Sequence, residues 1–291
     1  MKKRILTTAS YRCSKFVFGS VAVIMLSVPV KMSAQETTGS MTGVLPQPFQ
    51  VVEAISIGTG FSEALDEYLS PNTYHGGSFV FRNDRLYCSE TEKYFRYGRS
   101  RNSLIASLMT NEAGNGSQIE IMGNMFHSWE KPLLQYSRYD LLAGPSVMGT
   151  YGVLWNLRNS NNPASAQGWL AAGVGVDNIF RFRIGRLPVA LWATLWMPLA
   201  GARFAVDYDM PYYMLVEKGL YGKAIHFMCP INAPTSYNDV ALLIPLGRNQ
   251  LSVSLSADMT SDNMGGKRTQ ITHYQFGVGY VHRFEQKYNG R

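Results

Sequence analysis

Gln270-Ile-Thr-His-Tyr-Gln-Phe-Gly-Val-Gly-Tyr-Val-His-Arg-Phe284 changes character at every residue. Tyr274, Phe276, Val278, Tyr280 and Phe284 fall on one face, interrupted only by His282, while Gln275, Gly277, Gly279 and Arg283 fall on the other. Because successive side chains of a strand point to opposite sides, this is a strand with an aromatic face and a small or polar face. Aromatic residues outward and polar residues inward describe a membrane strand that lines a lumen. Such a terminal aromatic strand also resembles the signal read by the outer-membrane barrel assembly machinery, although here Glu285-Gln-Lys-Tyr-Asn-Gly-Arg291 follows it as a periplasmic tail.

The segment before it repeats the pattern, with Leu251, Val253, Leu255, Ala257 and Met259 set against Ser252, Ser254, Ser256 and Asp258. A row of hydroxyls in a dry core would lack partners, so this face points to a wet lumen or to bulk water. Residues 170–184 keep one parity as well: Leu170, Ala172, Val174, Val176, Phe180, Phe182 and Ile184 oppose Asp177, Arg181 and Arg183. Strands in soluble sheets run to ~5–6 residues, so this length suits a tilted membrane strand. The expected lipid-facing residues are therefore Leu170, Val174, Val176, Phe180, Phe182, Leu251, Val253, Leu255, Tyr274, Phe276, Val278 and Tyr280. The expected lumen-facing ones are Arg181, Arg183, Ser252, Ser254, Ser256, Asp258 and Gln275, with the two arginines competing for a place at the rim.

Connections alternate in length. Ile184-Gly-Arg-Leu187 and Leu246-Gly-Arg-Asn-Gln-Leu251 place Gly then Arg between strands, as in tight hairpins, whereas 111–117, 158–167 and 261–268 read as long polar loops. Short periplasmic turns and longer outer loops are the asymmetry of an outer-membrane barrel. Strands are predicted near 51–60, 76–88, 98–110, 116–128, 138–154, 168–184, 187–199, 203–209, 223–229, 237–246, 249–260 and 270–284. The fold class is an all-β, antiparallel, up-and-down transmembrane β-barrel of 12 strands, or of ten if 203–229 is a single excursion containing Asp207-Tyr-Asp-Met-Pro-Tyr-Tyr213. A barrel of this size is narrower than a porin, so side chains or a loop at 61–75 are expected to plug it.

The N-terminus accounts for the charge. Lys2, Lys3, Arg4, Arg12 and Lys15 surround or precede the apolar run Phe16–Val30, which has the length of a secretory signal and not of a spanning helix. Residues 1–34 are read as a signal peptide cut after Ala34, 35–50 as a periplasmic segment, 51–284 as the barrel and 285–291 as a tail. Of 27 Lys and Arg, six lie in residues 1–34, leaving 21 against 20 acids in the mature chain. The basic excess is thus a targeting device, and nucleic acid is excluded as a partner. Outer-membrane lipid and the barrel assembly machinery are the expected partners.

Chemistry is sparse. Cys88 and Cys229 survive cleavage without CxxC spacing, and either a bridge or two thiols fits. His75, His127, His226, His273 and His282 form no close-spaced metal motif, so neither metal nor cofactor is expected. His127-Ser128 suggests an outer-membrane lipid hydrolase or acyltransferase, but strand neighbours point to opposite faces, and no catalytic residue is assigned. Gly173-Val-Gly175 and Gly277-Val-Gly279 precede no helix and are not a dinucleotide fingerprint.

Ala113-Gly-Asn-Gly-Ser117, Asn159-Ser-Asn-Asn-Pro-Ala164, the stretch from Phe180 to Leu195, Pro245-Leu-Gly-Arg248 and Phe276-Gly-Val-Gly-Tyr280 carry a resemblance. From about Tyr94 to Phe284 the chain resembles an uncharacterised domain-of-unknown-function family of exported proteins in gut-type Gram-negative anaerobes. The resemblance implies a barrel and no chemistry. The expected function is a non-enzymatic small channel or a structural, surface-exposed scaffold. A soluble periplasmic β-sandwich or lipid-binding barrel is the reading in which the apolar faces are buried instead.

Overall fold

Period-two alternation leaves each strand unable to bury its apolar face alone, and long strands of this kind are satisfied by pairing side by side until no edge remains. In the computed structural model, which describes residues 45, 50–88, 94–160 and 162–285, they do so. The signal segment, its cleavage site, most of 35–50 and the tail after 285 lie outside the described residues.

Among the described residues eleven strands are formed: β1 (Gln50–Asp66), β2 (Tyr74–Cys88), β3 (Tyr97–Asn111), β4 (Ser117–Gln135), β5 (Tyr139–Asn156), β6 (Ala164–Ile184), β7 (Leu187–Phe204), β8 (Ile225–Met228), β9 (Thr235–Leu246), β10 (Asn249–Met264) and β11 (Lys267–Glu285). All pairings are antiparallel. The ladder runs from β6 back to β1, on to β11, β10, β9 and β7, and closes between β7 and β6. The wall is therefore a closed barrel of ten strands. Strand β8 only extends it, pairing with Gly201–Phe204 above the point where β9 leaves β7. No helix among the described residues is long and apolar enough to cross a membrane.

Ten strands replace the predicted twelve, and the alternative count holds. Of the predicted strand at 203–209 only Arg203 and Phe204 are strand, as the end of β7, which runs through Pro198 with a register shift between Ala172 and Gly173 of β6 opposite it. Residues 205–224 then leave the wall as an excursion holding the short helix α1 (Tyr212–Glu217) and a 3-10 turn at Tyr221–Ala224. The segment 261–268 is not a long loop either. Strands β10 and β11 continue through it to a two-residue turn at Gly265-Gly266, both with positive φ, which glycine adopts without a Cβ clash. Likewise β1 continues through 61–66, and only 67–73 are loop.

The two Gly-Arg turns, the 136–138 turn and both ends of the strand array share one end of the barrel, the turn end. The connections at 67–73, 112–116, 157–163 and 205–234, together with Gly265-Gly266, share the other, the loop end.

Candidate functional site

The interior is built from the inward parity of every strand, and it is filled. Residues such as Arg82, Arg99 and Arg101, on β2 and β3, fall on this parity and reach across the lumen. Arg82 Nη1 lies 2.8 Å from Asp239 Oδ1, and its Nη2 donates to Ser256 Oγ at 3.0 Å and Gln275 Oε1 at 3.1 Å. Arg101 Nε lies 2.7 Å from Asp84 Oδ1 and Nη2 lies 3.2 Å from Asp239 Oδ2. Arg99 binds Asp177 and Asp84 and donates to Thr194 Oγ1 at 2.7 Å. Three guanidinium groups thus meet three carboxylates in one layer. Trp192 stacks 4.4 Å from the Arg99 guanidinium, and Trp196 lies 5.4 and 5.5 Å from those of Arg99 and Arg101. Planar guanidinium forks suit two carboxylates at once and can lie flat on an aromatic ring, a geometry that the point charge of a lysine does not match. The facing wall is small, with Ser252, Ser254 and Ser256 beside Gly277 and Gly279, so it leaves room for these heads.

Toward the loop end a second polar layer follows. Asp66 accepts from Gln167 at 2.8 Å and pairs with Lys267 at 3.2 Å, Arg203 pairs with Asp262 at 2.7 Å, and His273 pairs with Glu120 at 2.9 Å. A small cavity of about 20 Å³, lined by Asn124, Thr150, Arg203, Tyr237, Asp258 and His273 among others, lies at this level. Ser107 donates to Glu120 at 2.8 Å, giving a Ser-Glu-His chain, but the serine meets the acid and not the imidazole. A nucleophile needs its base within reach, and this order does not supply one.

Both ends are apolar. At the loop end, Val206, Met210 and Leu215 of the excursion pack on Tyr68, Leu69 and Tyr74, so the excursion with the 67–73 loop is the cap. Tyr212 Oη accepts the Ala166 amide at 2.8 Å, and Tyr68 Oη donates to the Met210 carbonyl at 3.4 Å. Burial pushes the Tyr68 hydroxyl up to about 12. At the turn end, Val52, Leu86, Leu142, Ile179, Leu243 and Val281 form the second apolar plug.

The structure places each residue singled out in the sequence. Ser252, Ser254, Ser256, Asp258 and Gln275 lie buried on the inner parity, with Ser256 and Gln275 joined to Arg82. Arg181 is half-buried on Asp140, and Arg183 is exposed at the turn end, outside the interior, because the strand has passed the last packed layer. On the opposite parity, Leu170, Phe182, Leu255, Tyr274, Phe276, Val278 and Tyr280 are exposed and Val174, Val176, Phe180, Leu251 and Val253 half-buried. His127 stacks on Tyr87 and contacts Trp129 with ring centroids 4.5 Å apart, whereas Ser128 points inward and donates to Glu130 Oε1 at 2.6 Å. The two are not brought together.

Cys88 and Cys229 form no disulfide. Among the described residues no three His, Cys, Asp or Glu are grouped to hold a metal. Sequence reading missed the arginine layer, whose signal was Arg82-Asn-Asp84 and Arg99-Ser-Arg101: charged residues two apart on a strand's inward parity.

In fold the chain is similar to the outer membrane protease OmpT of Escherichia coli (10% identity, TM-score 0.38, covering 84% of this chain and 100% of that one). It is also similar to the translocator domain of the autotransporter NalP of Neisseria meningitidis (6% identity, TM-score 0.34, 93% and 97%). A third likeness is to an outer membrane channel of Pseudomonas putida F1 (10% identity, TM-score 0.34, 86% and 100%). No curated protein matches the chain in sequence. Residues 21–290 match the family described as protein of unknown function (DUF3316), and the chain belongs to that family.

Proposed function

We propose that this protein is an outer-membrane β-barrel without catalytic activity whose lumen is closed, serving as a scaffold that presents the loop-end excursion at the cell surface. The observation that carries the reading is the distribution of polarity: ion pairs and other polar side chains are buried in the interior and large apolar side chains cover the outside. A soluble barrel has the reverse, so this distribution favours lipid as the surrounding solvent and the barrel assembly machinery as the partner in insertion. The arginine layer, with an apolar plug at each end, favours a scaffold over an open channel. The separation of His127 from Ser128 removes the arrangement that favoured a hydrolase.

Two measurements test it. Unboiled protein on a denaturing gel is expected to migrate differently from boiled protein, and reconstitution in planar bilayers is expected to give no sustained unitary conductance. Recovery in the soluble periplasm without a heat-dependent shift would overturn the membrane reading, and stable conductance steps would overturn the closed lumen.

The lipid face has its own test. Leu255, 64% exposed between Val240 and Phe276 of its neighbours, is expected to tolerate no charge. Leu255→Arg should lower stability in vesicles by ~2–4 kcal/mol if the position lies near the bilayer midplane. A change under ~0.5 kcal/mol, the usual range for a solvated surface site, would place it in water.

A further inference from the structure

The turn end of the barrel carries an arginine in each of three tight turns. Arg138 lies in the 136–138 turn, Arg186 follows Gly185 and Arg248 follows Gly247, while Arg183 stands exposed beside them on β6. Among the described residues none of the four has an ion pair, while Asp140 is engaged by Arg181 and Glu53 by Arg85. At the loop end, by contrast, exposed bases and acids are mixed, as with Arg268 facing Glu67.

A second feature accompanies the charge. Each turn exposes a large apolar side chain next to its arginine: Tyr136 at 65%, Ile184 at 57% and Leu246 at 60%. A guanidinium within two residues of an outward apolar side chain suits the boundary where acyl chains give way to phosphates, since the stem can lie in the apolar zone and the fork in the polar one.

We propose that this rim is a binding surface for anionic phospholipid head groups, with Arg138, Arg183, Arg186 and Arg248 as the phosphate ligands. The inference rests on the membrane reading above and adds a leaflet to it: the basic rim holds the barrel against the leaflet at its turn end. Arginine forks match phosphate oxygens in pairs, and a basic side chain near an anionic surface gains roughly a fivefold preference.

The test uses the mature chain folded in zwitterionic detergent micelles, with folding verified by the heat-dependent gel shift. Phosphatidylglycerol, phosphatidylcholine and inorganic phosphate are titrated separately while the thermal unfolding midpoint is followed. Phosphatidylglycerol is expected to raise the midpoint more than phosphatidylcholine, and high salt to weaken the difference. Replacing the four arginines with glutamine should keep the gel shift and lower the apparent affinity for phosphatidylglycerol by about fivefold per arginine. A matched variant at the loop end, with Arg158, Lys218, Lys223 and Arg268 changed to glutamine, should keep the preference. Equal stabilisation by both lipids, an equal effect of inorganic phosphate, or an undiminished preference in the turn-end variant would overturn the proposal. A wild-type chain with no gel shift in any detergent would remove the membrane reading and this rim with it.

Discussion

Arg101→Met is expected to lower the stability of the folded barrel by ~3–5 kcal/mol, the cost of removing one member of a buried ionic set. Arg101 lies between Asp84 and Asp239, and each of these acids keeps one other arginine, Arg99 and Arg82 respectively. The loss is therefore not of a single pair but of local charge balance: Asp84 and Asp239 would each be left with one guanidinium in a largely buried layer. Restoring the balance should recover much of the stability, so Arg101→Met with Asp84→Leu should unfold at higher denaturant than Arg101→Met alone, with the non-additivity read from the double-mutant cycle. Urea unfolding in micelles, followed by the gel shift, measures both. If the single variant loses less than ~1 kcal/mol, the value of an exposed pair, the layer is wet and the lumen is not closed there.

Gly144→Val is expected to abolish folding. A Cβ at Gly144 would fall on the carbonyl oxygen of Trp129 in the neighbouring strand, close to where β4 and β5 shift register at Pro132 and Leu134. Overpacking against flexible side chains costs ~1–3 kcal/mol, but here the obstacle is backbone, so the strands must part or the bulge must move. No heat-shifted band should appear for Gly144→Val in detergents that fold the wild type. Gly77→Ala is the matched control, since a Cβ there meets nothing within 4 Å, and it should fold with unchanged stability. A Gly144→Val barrel as stable as the wild type would show that β5 does not approach β4 this closely.

Much of this architecture was legible because its cause is local. The parity of 270–284 and 251–259 depends only on the pleat of a strand, and both segments form strands with the aromatic or aliphatic parity outside. Gly185 and Gly247 mark tight turns for an equally local reason, the positive φ that each adopts. The errors came where distant partners decide. The segment 261–268 looks polar enough for a loop, yet Asp262 and Lys267 stay in strands because Arg203 and Asp66 are waiting for them inside. Tyr212–Glu217 shows no strand pattern and no long helix, and its place follows from Leu215 packing on the apolar loop end of the barrel.

The sequence by itself determined an all-β barrel with an apolar exterior, because alternation is written residue by residue and a closed ladder is the arrangement that satisfies such strands in lipid. Only the tertiary structure decided the strand count and that polar and charged side chains meet across the lumen. Both depend on which side chains meet in the folded barrel: Arg82 on Asp239, Arg99 on Asp177 and Leu215 of the cap on Tyr68 and Leu69 come from positions far apart in the chain. The terminal strand carries both lessons. Its alternation is legible from Tyr274 to Phe284, but that Gln275 receives the Arg82 guanidinium is known only once the barrel has closed.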